Sequence, residues 1–440
     1  MKEVRWPART LGALGAGMLL LTGAGIVLQR HDAHDAFVVI ALVQGVVYLA
    51  AASLVLRAGR LRRLLLPILA VAAIMRLAIV VAPSYLSDDL YRYVWDGRVQ
   101  AAGINPYRYV PSDTHLAALR DEAIYPNINR RSYAPTIYPP VAEYIFFLAS
   151  RVSESPLGVK AAMVFFDCAS IGILLHLLAA AGLPLERILI YAWHPLALWE
   201  FAGSGHVDAA VTTFVVLALW ARRRDVRWLT GIAIAGAALV KFFPAVIFPA
   251  LYRRWDWKMP LAAAATVALA YLPFLGVGRA VLGFLPGYVA EEGLSNGAGF
   301  FLWNLASAAL PFAHIAPLVY LALAAAALLA LGLAVLLRDE TGDHYVAAAL
   351  GLAALFTLLV SPHFPWYFGW LLAFLCLAPS AAVLYLSVAC MLLYFIGGGP
   401  DLDGSRMIVE CVIYGPFVAL AVVEWRRRRV FQPATVWREA

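Results

Sequence analysis

Apolar runs, many of them roughly 17–25 residues long, limit what this chain can fold into more than any other feature. They lie near residues 10–29, 37–56, 64–82, 157–181, 186–202, 207–221, 228–253, 259–275, 313–337, 345–361, 366–378, 380–397 and 407–425. A run of about 20 residues crosses the ~30 Å hydrocarbon core as a helix. In hydrocarbon, only a fold that pairs its own backbone groups is stable. Of the residues, 63% are hydrophobic and 14% charged, against about 25% charged in soluble domains, so the bilayer has to act as solvent. The expected fold is all-α and polytopic, with about 12–14 transmembrane helices in one domain over residues 1–440.

The net charge of +7 sits in short basic clusters between the apolar runs. That is the pattern of cytoplasmic loops and not of a nucleic-acid surface, so no nucleic-acid partner is expected. Placing Lys2, Arg5 and Arg9 inside puts Arg57, Arg60, Arg62 and Arg63, the Glu186–Arg187 turn, Arg222–Arg227 and Arg426–Arg429 on the same side. The long polar stretch 83–155, Gly203–His206, the 276–312 segment, Pro362–Pro365 and Gly397–Arg406 then face outside. This requires residues 139–150 to form a short interfacial helix rather than a crossing. It also makes 228–253, interrupted by Lys241 and Pro244, a broken pair of short helices. Cys168, Cys376, Cys390 and Cys411 all lie within apolar runs without metal-ligand spacing, and read as small apolar fillers.

The chemistry concentrates in the first outer stretch. Ser87–Tyr109 holds Asp88, Asp89 and Asp96, the cations Arg92, Arg98 and Arg108, and the rings of Tyr91, Tyr93, Trp95, Tyr107 and Tyr109. Sugar transfer from a lipid phosphate needs these parts: a carboxylate to deprotonate the acceptor hydroxyl, positive charge for the departing phosphate, and flat apolar faces for a sugar ring. The same composition also suits a solvated loop with interfacial aromatics. Adjacent aspartates repel, so one of the pair should ionise late or meet a cation.

Three more groups fall on the same side: His206 and Asp208 in GSGHVD, His363 with Trp366 and Tyr367 in SPHFPWY, and Lys241. A lysine within an apolar run costs roughly 2.5–3.5 kcal/mol on insertion scales and is a functional candidate by default, although it can also snorkel to a headgroup. The 276–312 segment, with Glu291, Glu292, Asn296 and Trp303, is expected to lie over the site without a role that spacing can assign.

DDLYRYVWDGRVQAAGINPY resembles the first external loop of GT-C glycosyltransferases. The bacterial branch around glycosyltransferase family 87 and the mannosyltransferases of phosphatidylinositol-mannoside assembly is the most similar. TIYPPVAEY, GSGHVD, VKFFPAVIFP and SPHFPWYFGW resemble later motifs of these enzymes, in the same order. The resemblance implies a GT-C fold and inverting transfer of a hexose, mannose by family weight, from a polyprenyl-phosphate donor to a glycolipid or glycan acceptor. The site would face the exterior of a bacterial plasma membrane.

By the same resemblance Asp89, with Asp88 beside it, is the general base, and His363 is the external histidine near it. The resemblance also places Lys241 near the donor phosphate, and Arg92 or Arg98 is expected to hold that phosphate with it. Read from the residues themselves, Tyr91, Trp95, Asp96, Tyr138, His206, Asp208, Trp366 and Tyr367 complete the expected substrate contacts. Many such enzymes use a DxD-like pair with a divalent metal. The acids are adjacent in this chain, which leaves magnesium or manganese open. The competing class is a transporter or lipid flippase of an envelope-glycan pathway, for which paired repeats would be expected; none is evident. A non-catalytic envelope scaffold is the third reading.

Overall fold

The computed structural model describes residues 5–58, 62–310, 316–338, 344–396 and 404–427. Lys2, Arg60, Arg428, Arg429 and most of the expected Gly397–Arg406 outer segment lie outside these residues. Every regular element among the described residues is helical, as expected. Six helices are long and apolar enough to cross a membrane: Ala8–Arg30, His34–Ala58, Pro156–Ala180, Lys258–Glu291, Pro317–Leu336 and Ser405–Arg426.

Around these stand five shorter apolar helices, Leu65–Val80, Arg227–Val240, His344–Val360, Pro365–Leu375 and Ala381–Phe395, each of 10–17 residues. At about 1.5 Å per residue such helices span only about 15–25 Å. By length alone, then, six helices can cross, or seven if the bent pair Ala197–Gly203 and Asp208–Arg223 counts as one span, whereas the hydropathy of the sequence suggested about 12–14.

The 186–202 run departs most from expectation. It is not a straight span. It breaks into Leu185–Ile188, Leu189–Ala192 and a π-helical turn at Ala197–Gly203, which meets the Asp208–Arg223 helix at 117°. Pro195 disfavours helix at His194 before it and removes a backbone donor. Residues 188–202 are buried throughout and face other helices rather than lipid. Several of their polar groups are met from neighbouring elements. Trp199 Nε1 donates to Gln44 Oε1 at 2.8 Å, Tyr48 donates to the Ile190 carbonyl at 2.7 Å, and Arg76 donates to Asp167 and to the Ala192 carbonyl, each at 2.6 Å. In an apolar surrounding an unpaired group would be costly, so these bonds hold the irregular backbone at the bundle centre.

The 228–253 stretch does break at Lys241, where the chain turns extended (φ −148°, ψ 138°) after Arg227–Val240, then continues as short turns through Phe243–Ile247 and Phe248–Leu251. Residues 140–152 form the expected short helix, Pro140–Val152. It packs on the Asp89–Ala101 helix, and Gly97 allows the approach, since a Cβ there would run into the Phe146 carbonyl. Gln100 Nε2 donates to both the carbonyl and the carboxylate of Glu143 at 2.9 Å, and Thr136 donates to Glu143 at 2.6 Å. The four cysteines are all free.

Candidate active site

Asp88 and Asp89 stand at the start of the Asp89–Ala101 helix, where the carboxylates of a first turn gain from the helix dipole. They open into a cavity of about 360 Å³. Asn129, from the following loop, donates one amide group to both acids, at 3.0 Å to Asp88 and 2.7 Å to Asp89. The next residue, Arg130, adopts the left-handed conformation (φ 52°), uncommon outside glycine. Asn129 thus faces the aspartates while the Arg130 guanidinium lies 2.6 Å from Glu291 and over the Tyr288 ring. Partial burial, then the neighbouring Asp89 charge, raise the Asp88 carboxyl above its ordinary value; Asn129 and Arg130 offset part of this.

The remaining wall comes from distant chain. Tyr138 stands on the loop before Pro140–Val152. Tyr288, Glu291 and Glu292 come from the 276–312 segment, and Phe364, Trp366 and Tyr367 from SPHFPWY. Tyr367 and Tyr288 share a hydrogen bond of 2.5 Å. Behind Tyr367, Lys241 Nζ lies 4.3 Å from its ring centroid and 2.7 Å from Asp208 Oδ2. Lys241 and Asp208 therefore neutralise each other and support the wall from outside the cavity. His206 is fully buried and stacks on Trp366 with ring centroids 4.1 Å apart. It belongs to the turn at Gly205, whose φ of +73° favours glycine.

Of the residues expected at the site, Asp88, Asp89, Tyr138, Trp366 and Tyr367 share the cavity, with His206 and the Lys241–Asp208 pair directly behind its wall. His363 lines a second, smaller cavity of about 110 Å³ that shares Tyr288, Glu292 and Tyr367 with the first. Its Nε2 lies 3.1 Å from the Gly299 carbonyl, and its Nδ1 is 2.8 Å from Glu292, at ion-pair distance but off hydrogen-bond direction.

The other expected residues do not line the cavity. Arg92 is buried and paired with Asp96 at 2.8 Å, and also donates to the Ala134 carbonyl. Arg98 pairs with Asp121 and Glu154 at 2.8 and 2.9 Å. Trp95 is buried against Tyr125, and Tyr91 packs against the apolar core. These four residues, with Asp96, hold the loop in shape, because a helix turns every third or fourth side chain to the same face and only its first turn reaches the cavity. Among the described residues no three His, Cys, Asp or Glu side chains are placed to hold one metal ion.

Sequence patterns did not single out Asn129, Arg130, Glu200 or Tyr288. Glu200 had a usable signal: it is an acid within the apolar 186–202 run, and the rule that marked Lys241 applies equally to it.

An all-helical membrane protein with an acidic, ring-lined cavity has the parts that a membrane glycosyltransferase needs, and the family match assigns the chain to that class. Residues 8–256, more than half of the chain, match the family described as alpha-(1->6)-mannopyranosyltransferase, N-terminal domain, and the chain belongs to that family. No curated protein and no solved structure matches it. The matched segment includes Asp88, Asp89, Asn129, Arg130, Tyr138, Glu200, His206, Asp208 and Lys241; the walls from Tyr288 and from Trp366–Tyr367 lie beyond it.

Proposed function

We propose that this membrane glycosyltransferase moves a hexose, mannose by family weight, from a polyprenyl-phosphate donor to a lipid or glycan acceptor, with inversion and on the outer membrane face. One observation supports the reading above others: paired aspartates open into a cavity of about 360 Å³, large enough for a small ligand, whose wall also holds Arg130 and a set of aromatic rings.

In this reading Asp89 is the general base. Its carboxylate accepts the proton of the acceptor hydroxyl as that oxygen attacks the anomeric carbon. The bond from that carbon to the phosphate oxygen breaks, and its electron pair leaves with the polyprenyl phosphate. Attack opposite to the leaving group inverts the centre. Arg130 is the cation on the cavity wall and turns from Glu291 toward the phosphate. Lys241 acts through Tyr367, whose ring face it holds, and Asp208 keeps its charge from reaching the cavity unpaired.

The test is transfer by the purified protein from a panel of polyprenyl-phosphate sugars to membrane-extract acceptors, with products identified by mass. Asp89→Ala should lower kcat by roughly 10²–10⁴-fold, the usual contribution of a general base, with an unchanged melting temperature. Full activity in that variant removes Asp89 from the role. Absence of lipid-phosphate release with every donor overturns the donor class.

A further inference from the structure

A wholly buried histidine stands beside Asp89 on the side away from the cavity, in an arrangement that supporting the wall does not require. We infer that His206, oriented by Glu200, is the positioning residue that shares the proton taken up by Asp89; the inference rests on the proposed role of Asp89 as base.

The argument begins with Glu200. Its carboxylate is fully buried within the π-helical turn Ala197–Gly203, and such wide turns often occur at functional sites. A buried carboxylate needs donors. Tyr394 O–H donates to Oε1 at 2.6 Å, and His206 Nδ1 lies 3.0 Å from Oε2. The His206 backbone amide also donates to the Glu200 carbonyl at 2.9 Å, which closes the turn and brings both side chains to one side. Since the carboxylate can only accept, the proton of the neutral imidazole sits on Nδ1. The Nε2 lone pair is then free.

Nε2 is buried, has no hydrogen-bond partner, and lies 3.9 Å from Asp89 Oδ2. The two oxygens of Asp89 divide their work. Oδ1 accepts from Asn129, while Oδ2 faces the histidine. Two lone-pair atoms have no reason to approach closer until a proton lies between them, and 3.9 Å is about 1 Å longer than a hydrogen bond. Trp366 stacks on the imidazole face and Phe364 on Trp366, which fixes the ring plane and shuts out water. Asp89 and Glu200 face this ring, and Asp208, paired with Lys241, follows two residues along the chain.

The proton balance follows directly. Before transfer, Asp89 and Glu200 are anionic and His206 is neutral. The acceptor hydroxyl proton reaches Asp89 and is shared with Nε2. The imidazolium that forms lies between two carboxylates, and Asp89 recovers its charge without any proton being added from outside. His206 touches neither sugar nor phosphate in this scheme. His363, held by Glu292 and the Gly299 carbonyl, stands on the other cavity and takes no part.

The experiment uses the full chain in detergent, with kcat, KM and their pH profiles for His206→Ala, His206→Gln and Glu200→Gln. His206→Ala should lower kcat by roughly 10–100-fold, less than loss of the base itself. KM should stay within about twofold, the acid limb of kcat should move, and added imidazole should restore part of the rate. The loss should disappear in an Asp89→Asn background, because the two groups act as one unit. Should His206→Ala fail to fold, the two glutamine variants keep the volume and their acid limbs should still move. Wild-type kcat and an unmoved acid limb in the His206 and Glu200 variants, with Asp89→Ala inactive, overturn this inference and leave the base reading standing. An active Asp89→Ala overturns the base reading instead.

Discussion

Asn129 offers the sharpest test of how the paired aspartates are held, because one amide group serves both. Its Nδ2 lies 3.0 Å from Asp88 and 2.7 Å from Asp89, and two carboxylates on one side admit only the donor end of the amide. A hydrogen bond to a charged group is worth about 1.5–3 kcal/mol. Although its carboxyl is partly desolvated by the cavity wall, the Asp88 residue as a whole is open to solvent, which reduces its share to about 0.5 kcal/mol. The Asp89 side chain is 19% exposed, which keeps its share near the lower end, about 1.5 kcal/mol.

Asn129→Ala therefore removes about 2 kcal/mol of restraint on the pair, and at about 1.36 kcal/mol per tenfold in rate the loss in kcat/KM is about 30-fold. Asn129→Asp keeps the shape but places a third carboxylate beside two others, and should lose more. The assay is sugar transfer from the proposed polyprenyl-phosphate donor by purified protein, with the melting temperature measured beside it. Asn129→Ala within twofold of wild type, at an unchanged melting temperature, would refute the view that this amide sets the base.

The raised Asp88 carboxyl predicts a pH effect whose sign can be worked out. A group raised in the folded state favours folding while neutral; that contribution is complete below the ordinary carboxylate value of ~3.9 and is lost as pH rises through the raised value. The melting temperature of wild type should therefore fall with rising pH in the weakly acidic range just above that value. Asp88→Asn should flatten the fall, and parallel curves would contradict it. Gly97→Ala places a methyl group against the Phe146 carbonyl and should destabilise by about 1–3 kcal/mol, the usual cost of overpacking, with kcat falling as the Asp89–Ala101 helix tilts. Thermal unfolding in detergent checks the first effect and transfer the second; an unshifted melting temperature would mean that the two helices have room to part.

Several features were legible in the sequence because they depend on neighbours along the chain. Hydropathy identifies apolar helices residue by residue, and so the all-helical membrane fold, the break at Lys241 and the short Pro140–Val152 helix follow from composition and proline placement. The DDLYRYVWDG segment marked the acidic pair for the same reason. Spacing along that segment could not separate Asp88 and Asp89, which line the cavity, from Arg92, Trp95 and Asp96, which are buried in its support. Both sets are polar or aromatic, and only packing decides which face of the helix is covered.

The tertiary structure alone decided which distant groups meet. Asp89, Asn129, His206, Tyr288 and Trp366 come from five stretches of chain, and Glu200 reaches His206 through a π-helical turn whose width hydropathy does not encode. It also placed His206 beside Asp89 and His363 against Glu292, although both histidines lie in similar turns rich in small or proline residues. Local sequence determines what a segment prefers as it leaves the ribosome. Which proton acceptor stands beside which carboxylate is a property of how helices pack, and that depends on contacts such as that of His206 with Asp89, between residues far apart in the chain.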